Sequence, residues 1–123
     1  MRLLLDTHVV LWWRTDDARL GRDARRAIRS ADIVWVSAVS GWEAAIKRAL
    51  GRLRLSGSFV ELLGRDLSEL PLMLRHAEPL AALPLHHSDP FDRMLIAQAL
   101  TEGLTIVTHD RQFSRYDVPL VWT

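Results

Sequence analysis

Four acidic residues sit where carboxylates could do chemistry as well as keep the chain soluble: Asp6, Glu43, Asp92 and Asp110. Asp6 directly follows the apolar run Leu3-Leu4-Leu5, and Asp110 closes Leu104-Thr105-Ile106-Val107-Thr108-His109. If both runs are strands of one parallel sheet, both carboxylates emerge at its carboxyl edge, where open α/β sheets bind ligands. A plainer role for each is to cap the helix that follows, since Asp is among the best N-cap residues. Glu43 and Asp92 belong to helical patterns instead. Val39, Glu43, Ile46 and Leu50 fall on one stripe, which puts Glu43 at the border of a core-facing side where an uncompensated charge is costly. A capping box with Ser40, or an i,i+4 pair with Lys47, would explain Glu43 equally well. Asp92, Leu95, Ile96 and Ala99 follow i, i+3, i+4, i+7, so a second carboxylate opens an otherwise apolar face. Its plainer role is a first-turn acid favoured by the helix dipole, with Asp89 as the cap.

Brought to one point, four like charges would raise one another's pKa values. A divalent cation relieves that conflict, and an all-oxygen donor set suits Mg²⁺ or Mn²⁺. One or two such ions, about 3.5 to 4 Å apart if two, activate water and stabilise the leaving oxygen of a phosphodiester. The pattern therefore points to metal-dependent phosphodiester hydrolysis.

The elements that must position these acids are readable from the same sequence. Leu3–Leu5 predicts a buried strand, and a helix begins near Thr7 or His8. Gly21 to Ser30 predicts an arginine-rich helix, Ile33 to Val36 a second strand, and Ser37 or Ser40 to Leu50 an amphipathic helix ended by Gly51. Phe59 to Leu67 predicts a short helix, and Leu72-Met73-Leu74 a third strand. Asp89-Pro90 opens a helix running to Gly103, with Pro90 suited to the first helical position. Leu104 to Val107 and Pro119 to Trp122 complete the strands. Strands separated by helices imply a mostly parallel α/β sheet, because parallel strands need crossover connections.

Composition sets outer bounds. The 123 residues carry 16 Lys plus Arg against 15 Asp plus Glu, a net charge of +1, which excludes a strongly basic nucleic-acid coat or an acidic tail. At 49% hydrophobic and 25% charged, with no linker-like stretch, the chain reads as one domain over residues 1–123. The absence of cysteine excludes disulfides, thiolate zinc sites and a cysteine nucleophile. No apolar run approaches the roughly 18 residues of a membrane span, and Asp6 interrupts any leader-like start. A soluble, cytoplasmic protein is expected.

Other residues have both functional and plain readings. His86 and His87 lack the third imidazole or thiolate of a zinc site and are expected to serve structure or hydrogen bonding. Arg22, Arg25, Arg26 and Arg29 recur at helical spacing, as a basic face toward RNA phosphates or an acidic segment, or as a solvated surface. Arg93 suits a phosphate or a pair with Asp89, and the five tryptophans suit packing more than base stacking.

Leu4-Leu5-Asp6-Thr7-His8, Ser37-Ala38-Val39-Ser40-Gly41-Trp42-Glu43, His86-His87-Ser88-Asp89-Pro90-Phe91-Asp92-Arg93 through Ala97-Gln98-Ala99, and Val107-Thr108-His109-Asp110 resemble the successive acidic motifs of PIN-domain proteins. The group most resembled is the VapC toxins of type II toxin–antitoxin pairs, and the likeness runs the length of the chain in order. The resemblance implies a three-layer α/β/α sandwich with a parallel sheet and a Mg²⁺- or Mn²⁺-dependent endoribonuclease. It further implies a homodimer restrained by a VapB-like antitoxin. Carried over by position, Asp6, Glu43, Asp92 and Asp110 form the catalytic and metal-binding cluster, with Thr7 and Thr108 as polar neighbours. Asp89 is then a cap or a supporting group, and His109 carries no assigned role. Two rivals follow. A phosphoaspartyl-transfer enzyme lacks its second Asp, because position 8 is His8, and leaves Glu43 and Asp92 unexplained. A PIN-like module that only binds RNA or protein would not need all four acids.

Overall fold

The computed structural model describes all residues, 1–123. Five strands alternate with helices in the order β1 (Arg2–Leu5), α1 (Thr7–Thr15), α2 (Arg22–Ser30), β2 (Ile33–Ser37), α3 (Ala38–Ala49), β3 (Ser68–Leu70), α4 (Leu74–Ala77), α5 (Pro90–Glu102), β4 (Thr105–Thr108) and β5 (Leu120–Trp122). The sheet order is β3-β2-β1-β4-β5 and every pairing is parallel, so the expected mostly parallel sheet is wholly parallel. Connections leave β1 toward β2 on one side, while β4 lies on its other side. The order therefore reverses between β1 and β4, which makes their carboxyl ends the switch point of the sheet.

Side-chain alternation along the strands builds the three layers. Leu3 and Leu5 point to one face, where they meet Val9, Val10 and Trp12 of α1 and Ala24 and Ile28 of α2. Leu4 points to the other, with Ile106 of β4, Leu95, Ile96 and Ala99 of α5, and Phe113. Because both faces are covered, the strands read as continuous apolar runs rather than alternating ones. Ile106 is fully buried. Ile106→Val is therefore expected to cost about 0.5–1.5 kcal/mol in chemical denaturation without altering the fold.

Three sequence expectations are corrected. The third strand lies at Ser68–Leu70, not Leu72-Met73-Leu74, and pairs with Trp35–Ser37. Leu67 and Leu70 close the core there, Pro71 cannot extend the ladder, and Leu74 is left 90% exposed. The helix expected over Phe59 to Leu67 shrinks to a 3₁₀ turn at Val60–Leu63, because Gly64 takes a positive φ of 54°. The carbonyls of Leu62 and Leu63 at the end of this turn accept from the Arg14 guanidinium, and that of Leu63 also from Leu67 N–H. On α3, Trp42, Ile46 and Leu50 face outward, and the buried face consists of Val39, Ser40, Glu43 and Ala44. No helix is long and apolar enough to cross a membrane.

Candidate active site

β1 ends at Leu5, and the N–H of Asp6 still donates to Val107 O at 3.0 Å, so Asp6 is held beside the end of β4. Its carboxylate is 5% exposed, accepting from the N–H of Thr7 at 2.7 Å and from the Thr108 hydroxyl at 2.8 Å. Asp6 is thus also the N-cap of α1, so the plain role and the site role coincide. Thr108 Oγ1 in turn accepts from the N–H of Asp110 at 3.0 Å, tying the two strand-end acids through one hydroxyl. Asp110 caps the 3₁₀ turn Arg111–Arg115 by accepting from Gln112 N–H.

Glu43 reaches this edge from α3. Ser37, not Ser40, caps that helix, so the capping-box explanation for Glu43 falls away. Glu43 is 4% exposed; Oε1 accepts from the Thr7 hydroxyl at 2.7 Å and Oε2 from Lys47 Nζ at 2.5 Å. The i,i+4 pair therefore exists, and it satisfies a buried carboxylate rather than decorating a surface. Asp92 arrives from the first turn of α5, where Asp89 is the cap and accepts from the N–H of Asp92 at 3.0 Å. Asp92 itself is not the cap and points into the site.

The four acids, together with Asp89 and Lys47, line one open cavity of about 390 Å³ whose rim carries His8, His109, Arg111 and Gln112. Every residue lining it is polar or charged. Burial, reinforced by the charges of Asp6, Asp89, Asp110 and Glu43, pushes the Asp92 carboxyl up to about 8. Burial also raises Asp6, against the lowering effect of its hydrogen bonds from Thr108 and Thr7. Lys47 is held above its usual value; burial opposes this, and Glu43 with the more distant Asp89 and Asp92 outweighs it. Lys47 and Arg111 against five carboxylates leave an excess of acidic groups that a hard divalent cation fits in both charge and donor chemistry. The acids are not closed into a ready-made cage, since each is engaged with protein donors.

Residues outside the acidic set complete the site. His87 Nε2 lies 3.3 Å from Asp92 Oδ2, and His87 Nδ1 lies 2.8 Å from the Tyr116 hydroxyl. The Tyr116 oxygen already accepts from Arg93 and from the His87 N–H, which leaves its own proton for Nδ1 and directs an Nε2–H at Asp92. His87 thus has the hydrogen-bonding role expected of it. Arg93 departs from expectation: it binds Pro84 O, Leu83 O and Tyr116, and does not pair with Asp89. Tyr116, Gln112 and Arg111 carry no signal in the sequence, because nothing in their local spacing distinguishes them from surface residues. At the rim, His109 meets the Trp12 ring edge to face at 4.6 Å between centroids and His8 lies tilted against it at 6.1 Å; Trp12 is buried.

An all-parallel sandwich with acids collected at the switch point defines a class, the α/β proteins that work through a carboxylate-lined cleft at the strand ends. Within that class, the chain belongs to the PIN-domain family, whose model matches residues 3–119. It is 32% identical over 121 residues to the ribonuclease VapC22 of Mycobacterium tuberculosis, covering 95% of this chain and 93% of that protein. The fold is similar to the crystal structure of VapBC2 from Rickettsia felis bound to a DNA fragment from its promoter, with a TM-score of 0.72 and 12% identity over 99% of this chain and 98% of that one. DNA-bound VapBC from Salmonella typhimurium is similar too, with a TM-score of 0.69 and 20% identity over 99% and 98% of the two chains.

Proposed function

We propose that this chain is a Mg²⁺- or Mn²⁺-dependent endoribonuclease, the toxin of a toxin–antitoxin pair, with residues 1–123 working as one nuclease domain. The observation that carries the reading is the meeting of Asp6, Glu43, Asp92 and Asp110 in one polar cavity with too little positive charge to balance them. Identity to a ribonuclease over nearly the whole chain supports the substrate class. The complexes named VapBC among its fold neighbours support a VapB-like antitoxin as partner. A homodimer is part of the same reading.

In this reading Asp6, Glu43, Asp92 and Asp110 hold the cation. When bound, it supplies an activated water and a counter-charge for the leaving oxygen of the phosphodiester. The protein's own work is positioning. Thr7 N–H and Thr108 Oγ1 fix the plane of the Asp6 carboxylate, and Thr7 Oγ1 with Lys47 fixes that of Glu43. His87 holds Asp92 through a donor whose direction Tyr116 sets. Lys47, with Arg111, also puts a cation at the cavity wall within reach of a phosphate oxygen.

Calorimetric titration with Mn²⁺ tests the reading without needing the natural RNA. The full chain is expected to bind Mn²⁺, and Asp6→Asn to weaken that binding by at least about tenfold. Equal affinity in both would overturn the assignment of Asp6 as a ligand. Thr108→Val keeps the shape of the side chain and deletes the link between Asp6 and Asp110. Cleavage of a mixed RNA pool is expected to fall about tenfold with the circular dichroism spectrum unchanged. The rival reading, an inactive PIN-like module that binds RNA or protein, is favoured by the engagement of the acids with protein donors. It predicts neither effect.

A further inference from the structure

We infer that the outer face of α2 is a docking track for the phosphate backbone of the RNA substrate, entered from the acidic cavity along the end of β5. The inference rests on the ribonuclease reading and adds to it the place where the substrate is gripped. A cavity in which five carboxylates outnumber Lys47 and Arg111 repels a polyanion, so most of the attraction that holds the strand must come from cations beyond it. Arg22, Arg25, Arg26 and Arg29 lie at i, i+3, i+4 and i+7 on α2 and line one open concavity of about 520 Å³ with Ser30. Arg25 is committed, pairing with Asp16 and donating to Leu20 O and Asp17 O. Arg22, Arg26 and Arg29 are exposed and take part in no ion pair or side-chain hydrogen bond; Asp23, the one acid of the helix, does not neutralise them.

The direction of α2 gives the track its connection. Gly21 N–H donates to Thr123 Oγ1 at 2.6 Å, so α2 starts at the carboxyl edge of β5, two strands from Asp6, which is roughly 10 Å across the sheet. Between them lies Arg111, which lines the acidic cavity and sets its guanidinium 5.9 Å from the ring of Trp122, itself 41% exposed. Arg111 and Trp122 thus stand at the end of β5, and Arg22 opens α2 beside that end, with Arg26 and Arg29 following along the helix away from it. An exposed indole beside one guanidinium, at the end of β5 where the arginine face of α2 begins, matches a single strand, which offers bases to stack and phosphates to pair. An acidic peptide offers carboxylates to pair and no bases to stack. Arg52, Arg54 and Arg65 also lack an ion pair or side-chain hydrogen bond, but they lie between α3 and β3, on the opposite side of the sheet from β5, Arg111 and Trp122.

The test measures binding of a fluorescent, mixed-sequence single-stranded RNA to the full chain in the Asp6→Asn background, by anisotropy over a range of salt. The triple variant Arg22→Gln, Arg26→Gln, Arg29→Gln is expected to bind about tenfold more weakly near 0.1 M salt. Its slope of log K against log salt should flatten by about 2, since each phosphate contact on a single strand contributes about 0.7. The triple Arg→Lys variant keeps the charges and should restore the slope, which separates charge from folding. Unchanged affinity and slope in the Gln variant would overturn the track. So would weakened binding to polyglutamate with RNA binding intact, which would assign the face to an acidic protein segment. In the otherwise wild-type chain the Gln variant should raise KM for cleavage with kcat unchanged. A wild-type chain that binds RNA through these arginines yet cuts none would defeat the ribonuclease reading and leave the track standing.

Discussion

Asp6→Asn is expected to reduce RNA cleavage by about 10²–10³-fold, equivalent to about 3–4 kcal/mol of lost transition-state stabilisation, while the protein stays folded. Asp6 is the acid placed most firmly by the backbone, at the end of β1 with its N–H still on Val107 O. It shares the Thr108 hydroxyl with the N–H of Asp110, so it links both strand ends of the switch point. Asparagine keeps the volume and the oxygen that accepts from Thr7 N–H, and replaces the charged oxygen that accepts from Thr108 by an amide nitrogen that only donates. Burial already disfavours that charge, so the cost of the substitution should fall on activity and not on stability. Gel analysis of a mixed RNA pool beside a thermal melt separates the two. Wild-type cleavage by Asp6→Asn at ordinary Mg²⁺ would exclude it from the reaction.

Asp92→Asn is expected to abolish cleavage as well, but to raise the stability of the metal-free protein. The carboxyl stands at about 8 in the fold, chiefly through burial and then through its acidic neighbours, against about 4 in an unfolded chain. Between those values the folded state keeps a proton that the unfolded state has released. The unfolded state therefore binds fewer protons, and stability falls as pH rises through that window. Below about pH 4 both states are protonated and the penalty vanishes. In EDTA at pH 8, Asp92→Asn should melt higher than the wild type by about 4–12 °C, corresponding to about 1–3 kcal/mol, with the difference shrinking toward pH 5. Added Mn²⁺ should reverse the ranking by stabilising the wild type more, because only a protein that binds the ion gains from it. Equal melting temperatures at pH 8 would show that the acids do not strain one another.

Much of this was legible in the sequence because the informative residues sit next to unambiguous punctuation. Asp6 and Asp110 follow short apolar runs, and Asp89-Pro90 marks the start of α5, so strand ends and a helix start could be placed without tertiary information. Glu43 is legible only in part: the stripe through Ile46 and Leu50 points to an inward face, but α3 buries its small and polar side, and a large apolar residue is no proof of an inward face. β3 was misplaced because hydrophobicity favoured Leu72-Met73-Leu74, whereas pairing is decided by which residues can lie beside Trp35–Ser37. The Tyr116–His87–Asp92 chain was beyond sequence reach, since Tyr116 lies 24 positions from Asp92 and meets it only through a folded loop.

The most direct measurement is cleavage of a mixed RNA pool by the purified wild-type chain in Mg²⁺, in Mn²⁺ and in EDTA, with the ion restored to the EDTA sample at the end. The account predicts cuts with either ion, none in EDTA, and recovery on adding the ion back. Cleavage that persists in EDTA, or a folded protein that leaves every RNA intact under all three conditions, would contradict it.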